Sequence, residues 1–207
     1  MKLTLPHRAN LVKTNDEDPI DFYYYPLIGL VYKKRLINTL SLLERRSERL
    51  LDIGYGSGLL FPELLARASE VCGLETHGRE SQVYEMIDKE KIDRSRVILK
   101  PGSILAMPWP DGYFDAVVSV STLEHIEDLD KAMSEIRRVL KPGGQAVLSF
   151  PIRNRLTDYF YRLFGFNPRQ IHPSSDQDII AAAGRFFKIE RTLELPKLYC
   201  SIRCIKA

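Results

Sequence analysis

The chain is poor in the features that mark specialised protein classes. Among 207 residues there are three cysteines, Cys72, Cys200 and Cys204, and one tryptophan. Three thiols are too few for a disulfide framework, and their spacing is not that of a zinc site. They are expected to be small buried hydrophobes in a reducing compartment. No apolar run approaches the ~20 residues of a membrane span. The first residues, Met1 to Arg8, hold no long apolar segment, so no signal peptide is expected and the protein is read as soluble and cytoplasmic. There is no internal repeat and no low-complexity tract. Charge of one sign does not dominate either: 30 Lys and Arg face 27 Asp and Glu, for a net +3.

What is present is ordinary for a globular protein. Hydrophobic residues make up 44% and charged residues 28%, which excludes disorder, collagen and coiled coil for the chain as a whole. The length suits one domain whose core needs no staples. It leaves no room for a catalytic module plus a large nucleic-acid reading domain. The small net charge hides a division. Residues 1–50 carry nine basic and six acidic side chains, residues 51–150 eleven and sixteen, and residues 151–207 ten and five. The centre is acidic and both ends are basic.

The centre alternates short apolar runs with helical stretches. Arg49 to Ile53, Glu70 to Glu75, Arg96 to Leu99, Phe114 to Val120 and Gln145 to Phe150 read as five buried strands. Leu59 to Ala68, with Pro62 in its first turn, and Glu80 to Ile92 read as helices between them. Asp128 caps another, apolar at Leu129, Ala132, Met133, Ile136, Val139 and Leu140, and Lys141-Pro142-Gly143-Gly144 stops it. Near-continuous apolar strands separated by helices mean a parallel sheet covered on both faces. The grammar then changes. Ser174 to Ala183 reads as a helix with a Ser174…Gln177 capping box and Gly184 as its stop. Phe186 to Leu195 and Leu198 to Ile205 follow as an antiparallel hairpin joined at Pro196-Lys197. Ile28 to Leu43, upstream, is an amphipathic helix preceded by Phe22-Tyr23-Tyr24-Tyr25-Pro26. The expected fold is α/β: a doubly wound, Rossmann-like, seven-stranded sheet, mostly parallel, with a C-terminal antiparallel hairpin and helices on both faces. Residues 1–48 form N-terminal cap helices, 49–151 the central core, 152–173 an arm, and 174–207 the last helix and hairpin of one domain.

Asp52-Ile53-Gly54-Tyr55-Gly56-Ser57-Gly58 follows the first strand and opens a helix. Glycines allow a sharp turn and close approach of a ligand to the main chain, and amides at a helix start face that ligand. The dinucleotide fingerprint requires a glycine at position 59, where Leu59 stands, and a P-loop requires Gly-Lys-Ser/Thr, which is absent. Glu75 ends the second strand, where a carboxylate meets ribose hydroxyls in sheets of this kind. Four further stretches accompany the loop: Glu75 itself, Met107-Pro108-Trp109-Pro110-Asp111-Gly112-Tyr113-Phe114-Asp115, Leu123-Glu124-His125-Ile126, and Arg138 to Gly144. With these five markers in order, the chain resembles class I S-adenosylmethionine-dependent methyltransferases, most nearly the quinone-biosynthesis and small-molecule branch.

The resemblance implies the cofactor S-adenosyl-L-methionine, with S-adenosyl-L-homocysteine as product. It implies that Gly54, Tyr55, Gly56 and Gly58 line the methionine part, that Asp52 orients the amino group, and that Glu75, beside Thr76, holds the ribose hydroxyls. Ser103 stands where many relatives have an aspartate for the adenine amino group. A hydroxyl accepts less strongly than a carboxylate, so backbone around Ile104 is expected to share the task. Val120 and Ser121 border the reaction centre. Methyl transfer from a sulfonium is an in-line displacement, so the protein supplies geometry and a dry pocket, with a base only if the acceptor must lose a proton. Glu124, His125 and His172 are the catalytic candidates. The structural alternative has His125 hydrogen-bonding the loop, Glu124 facing solvent and His172 in a loop before a helix cap. No metal site is expected.

The stretch after the fourth strand, Ser121-Thr122-Leu123-Glu124, is not the Asn/Asp-Pro-Pro-Tyr of enzymes acting on exocyclic amino groups, and no cysteine nucleophile of the cytosine C5 type is present. Nucleic acid is therefore disfavoured as a partner. The acceptor is read as a small or lipid-like metabolite, with peripheral membrane contact left open. Tyr25, Arg153, Tyr159 and Arg162 are the candidate substrate contacts. The arm between Arg153 and Arg169 interleaves arginines with aromatics, which suits first a cap over an anionic acceptor, then a helix packed on the sheet with solvated arginines, and last a contact with a membrane surface or lipid acceptor. An RNA-directed methyltransferase and a non-catalytic cofactor-binding protein are the rival functions.

Overall fold

The computed structural model describes residues 3–14, 18–154 and 172–207. Its centre is one seven-stranded sheet. The strands are β1 Ser47–Ile53, β2 Ala68–Glu75, β3 Val97–Pro101, β4 Phe114–Val120, β5 Leu140–Pro151, β6 Lys188–Leu195 and β7 Tyr199–Ile205. Their spatial order is β3-β2-β1-β4-β5-β7-β6. The first five are mutually parallel, and β7 runs antiparallel to both β5 and β6. The expected sheet with its terminal hairpin is the observed one.

Period-2 alternation sorts the core into two layers. Leu51, Ile53, Val117, Leu148 and Phe150 point to one face, where α4 (Leu129–Val139) and α5 (Asp176–Phe186) cover them. Leu50, Val71, Ala116, Val118 and Val147 point to the other, packing with α1 (Ile28–Ser41), α2 (Phe61–Leu65) and α3 (Glu80–Lys89). These strand residues are buried on both faces, which is why the sequence reads as apolar runs rather than alternation. All three cysteines are buried and free.

Three local readings change. The helix read from Leu59 begins only at Phe61 and ends at Leu65. Gly54, Gly56 and Gly58 all take positive φ, so the chain is still turning through residue 60. The capping box is Ser175 with Asp178: Asp178 N–H donates to Ser175 Oγ at 3.2 Å, and Ser175 N–H to Asp178 Oδ2 at 2.9 Å. Ser174 is instead buried, and its hydroxyl donates to the Ile126 carbonyl at 2.5 Å. Gly184 does not stop α5, which continues to Phe186. A Cβ there would meet nothing nearer than Ile189 at 4.0 Å, so the helix passes freely. The Asp128 cap is as read, its carboxylate accepting from Lys131 N–H at 3.0 Å.

Strand order reverses direction at β1: the chain steps to β2 and β3 on one side, then returns to β4 on the other. Loops leaving neighbouring strands diverge there and leave a crevice at the carboxyl ends of the strands.

Candidate functional site

A cavity of about 1040 Å³ occupies this crevice, bordered by residues from the ends of β1, β2 and β4, from α1 and from the N-terminal segment. It has two walls of different construction.

The first wall is mostly backbone. Gly54 N–H continues the sheet by donating to the Leu74 carbonyl at 2.9 Å. Its φ is +74°, and a Cβ would stand 2.0 Å from Thr122 Oγ1, so only glycine fits. Gly56 also has positive φ, but a Cβ there would meet nothing within 4 Å, so its peptide faces open space. The loop is tied from both sides. Gly56 N–H donates to Glu75 Oε2 at 3.2 Å, and Thr76 N–H donates to Glu75 Oε1 at 2.7 Å. His77 Nδ1 accepts from Arg79 N–H at 2.9 Å, which leaves the proton on Nε2 to donate to the Gly56 carbonyl at 3.0 Å. The Tyr55 ring stands edge-on to His77 with centroids 5.4 Å apart, and its buried hydroxyl has no hydrogen-bond partner among the described residues. Burial raises the Tyr55 pKa, so the hydroxyl stays a donor.

Asp52 lies below this loop, 2% exposed. It accepts no hydrogen bond among the described residues. Burial, with a smaller push from Glu75, raises its pKa to about 7. Ser103 and Ile104 also line the cavity. The Ser103 hydroxyl oxygen already accepts from Leu105 N–H at 3.1 Å, which uses one of its two lone pairs.

The second wall is side chains. Phe22, Tyr23, Tyr25 and Tyr32 come from the N-terminal segment and α1, and Tyr199 from β7. At their centre is Arg35, 2% exposed. Its guanidinium lies 4.3 Å over the Tyr199 ring, and Nη2 donates to Ser121 Oγ at 2.6 Å. Ser121 adopts φ +55°, a conformation a non-glycine residue holds at a cost of roughly 1–3 kcal/mol. Its N–H donates to the Ser149 carbonyl at 2.9 Å, which fixes it between β4 and β5. Glu124 is 2% exposed, and burial raises its pKa, against the pull of His125 and Arg35. The His125 and His172 rings meet edge-on at 4.9 Å. Burial, with the charges of His125 and Arg153, lowers the His172 pKa to about 4, so its imidazole is neutral at pH 7.

The cavity thus brings together Asp52, Gly54, Tyr55, Gly56, Glu75, Thr76, Ser103, Ile104, Val120, Ser121, Glu124, His125, His172 and Tyr25 of the sequence candidates. Gly58 is not among its lining residues. A Cβ at Gly58 would strike Met86 and Phe61 at 2.8–2.9 Å, so this glycine serves the packing of α2 and α3. The solvent-facing Glu124 of the structural alternative is corrected: Glu124 is buried and His125 is the exposed one. Arg153 does not line the cavity, and its N–H donates to Asp176 at 3.0 Å. Tyr159 and Arg162, with the rest of 155–171, lie outside the described residues.

Sequence reading missed Arg35, His77 and Tyr199. Arg35 left one signal: it falls on the buried stripe of α1, between Tyr32, Leu36 and Thr39 at helical spacing. His77 and Tyr199 left none, because their partners are distant in sequence.

Comparison with known proteins agrees with this architecture. Residues 51–148 match a family described as a methyltransferase domain. Demethylmenaquinone methyltransferase of Thermus thermophilus is 35% identical over 113 residues, covering 53% of this chain and 50% of that protein. Ubiquinone biosynthesis O-methyltransferase of Dechloromonas aromatica is 30% identical over 121 residues, covering 57% and 50%. The chain thus spans about half the length of these curated relatives. Geranyl diphosphate C-methyltransferase of Streptomyces coelicolor, solved with Mg²⁺, geranyl diphosphate and S-adenosyl-L-homocysteine, superposes with a TM-score of 0.72. The match covers 98% of this chain and 89% of that one at 16% identity. That likeness is one of fold. Sheet order, glycine loop and family match converge: residues 51–148 are similar to methyltransferase domains, and the sheet is built as in the solved methyltransferase structure.

Proposed function

We propose that this protein transfers a methyl group from S-adenosyl-L-methionine to a small, lipid-like acceptor in the cytoplasm. One observation carries the reading: the open, left-handed Gly56 peptide is tied to Glu75 and stands beside a buried Asp52 that has no hydrogen-bond partner among the described residues. A buried carboxylate at the edge of a cavity suits a cationic amino group, whose charge would relieve its desolvation. The residues therefore fit the cofactor. When bound, S-adenosyl-L-methionine supplies an electrophilic methyl group on a positively charged sulfur. Asp52 would hold the amino group and Glu75 the ribose hydroxyls. Gly54, Tyr55 and Gly56 would border the methionine portion, Thr76 the ribose, and Val120 and Ser121 the reaction centre. Ser103 keeps one lone pair for the adenine amino group, and the backbone at Ile104 completes that end.

The second wall suits the acceptor. Its aromatic rings exclude water, and Arg35 offers a fixed positive charge to an anionic or polarised oxygen. At the outer edge of this wall Tyr25 is 51% exposed, and beyond it Leu27 is 80% and Leu30 65% exposed. An apolar rim on the segment that borders the cavity suits a lipid-like molecule or the membrane holding it. No helix among the described residues is long and apolar enough to cross a membrane. One relative is named for demethylmenaquinone, another for ubiquinone biosynthesis, and the superposed structure for geranyl diphosphate, names that support a lipid-like acceptor.

The test is incubation with isotope-labelled cofactor and separate lipid and aqueous cell extracts. Label is expected in a lipid-soluble product. Absence of S-adenosyl-L-homocysteine binding in calorimetry would refute the cofactor reading. Label confined to the aqueous extract would refute the lipid-like acceptor.

A further inference from the structure

We propose that Glu124, His125 and His172 form a binding site for one divalent transition-metal cation. Each side chain offers a ligand atom, and these atoms lie within 4.8 Å of one another. Ligand atoms bonded at ~2.1 Å around a common ion stand roughly 3–4 Å apart. A small side-chain closure therefore completes the set.

The second observation is independent of that clustering. Glu124 is 2% exposed, and its Oε2 is buried with no hydrogen-bond partner among the described residues. A buried carboxylate oxygen without a partner calls for an occupant. Arg35 shares the neighbourhood, but its N–H groups are directed to Ser121 Oγ at 2.6 Å and Ser149 Oγ at 3.5 Å. It forms no ion pair with a carboxylate among the described residues. Glu124 therefore still has a lone pair to give.

The supporting shell is built. Glu124 and His125 lie on the 3-10 turn Leu123–His125. Thr122 Oγ1 anchors the start of this turn by donating to the Ile53 carbonyl at 3.1 Å. Ser174 N–H donates to the Glu124 carbonyl at 3.3 Å, and Ser174 Oγ to the Ile126 carbonyl. Those two bonds bring the chain before α5 to the turn and set His172 against His125. All three candidate ligands border the cavity.

Two imidazoles and one carboxylate suit zinc, manganese, iron or cobalt rather than magnesium or calcium, which prefer all-oxygen sites. Three protein ligands leave further positions open toward the cavity. An acceptor presenting an ionisable oxygen would meet the metal there, beside Arg35. The site stands on its own geometry and does not depend on the cofactor reading.

The test uses the full chain, treated with a chelator that is then removed. Zn²⁺ is titrated by calorimetry, and Co²⁺ by its visible absorption, which reports coordination number. One ion per chain is expected. Glu124→Gln and His172→Ala should each weaken binding by on the order of tenfold or more, while His7→Ala, at an exposed turn, leaves it unchanged. Circular dichroism and an S-adenosyl-L-homocysteine titration on each variant establish folding and keep the cofactor question separate. Should His172→Ala not fold, His172→Gln replaces it. Absence of stoichiometric binding by the unmodified chain overturns the proposal, as does unchanged affinity in folded Glu124 and His172 variants.

Discussion

The two walls of the cavity solve opposite problems. The glycine-loop wall is made of peptide groups held in fixed positions by Glu75 and His77. The second wall is made of buried charge, Arg35 and Glu124, surrounded by aromatic rings and serines. Backbone can present a constant surface to a constant ligand with little side-chain ordering. A variable acceptor must be recognised by side chains, and burying their charge demands compensation from several elements at once. The first wall should therefore fail in binding and the second in stability, when each is broken.

The largest effect is expected from Glu75→Ala. It removes the acceptor of the Gly56 and Thr76 amides and the proposed ribose partner. Two charge-assisted hydrogen bonds lost amount to ~4 kcal/mol, or roughly a thousandfold in affinity for S-adenosyl-L-homocysteine. Calorimetry measures this directly. Affinity within threefold of the unmodified protein would mean that Glu75 only braces the loop.

Arg35→Met should show the converse. It deletes the cation stacked on Tyr199 and leaves Glu124 buried without its nearby countercharge, for a loss of about 3 kcal/mol in unfolding free energy. Cofactor affinity should stay within threefold. A denaturant titration beside a binding titration separates the two quantities. If Arg35→Met abolishes cofactor binding at full stability, the two walls are not independent.

The contrast also explains what was legible in the sequence. The first wall lies on a contiguous run, Asp52 to Ser57, plus Glu75 one strand later, so the pattern of residue types alone locates it. The sheet was legible for the same reason, since each strand is a continuous apolar run between turn signals. The second wall gathers residues 23, 35, 124, 172 and 199, which come from separate elements and meet only in the folded chain. Whether Glu124 faces the cavity or solvent stayed open in the sequence, because spacing cannot tell which of two adjacent polar residues a 3-10 turn buries. Gly58 looked like a ligand contact because a positive φ is required both by tight packing and by close approach, and only the neighbouring atoms distinguish them.

Asp52 gives a pH test of the first wall. Its folded pKa, about 7, lies above the unfolded value of 3.8. The folded state then holds its proton more tightly, so the stability associated with Asp52 is fully present below pH 4 and is lost as pH rises through 7. Asp52→Asn removes that loss and should stabilise the protein by ~2 kcal/mol at pH 8, with little change at pH 4, while weakening S-adenosyl-L-homocysteine. Thermal melts at the two pH values decide it. Equal stabilisation at both would mean that packing, not charge, limits the site.

The smallest effect is expected from His77→Phe. His77 lies outside the glycine run, yet its Nε2 proton holds the Gly56 carbonyl while Nδ1 is fixed by Arg79 N–H. His77→Phe keeps a ring edge-on to Tyr55 and removes only those two hydrogen bonds. One neutral hydrogen bond is worth ~1 kcal/mol, so cofactor affinity should fall about fivefold at unchanged melting temperature. The loss should appear in the dissociation rate, because the loop would spend more time out of its binding geometry while the cavity entrance is unaltered. Stopped-flow displacement of S-adenosyl-L-homocysteine measures that rate. If dissociation is unchanged in His77→Phe, the left-handed glycines and Glu75 alone set the loop. The first wall would then be determined entirely by residues that its contiguous sequence already displays.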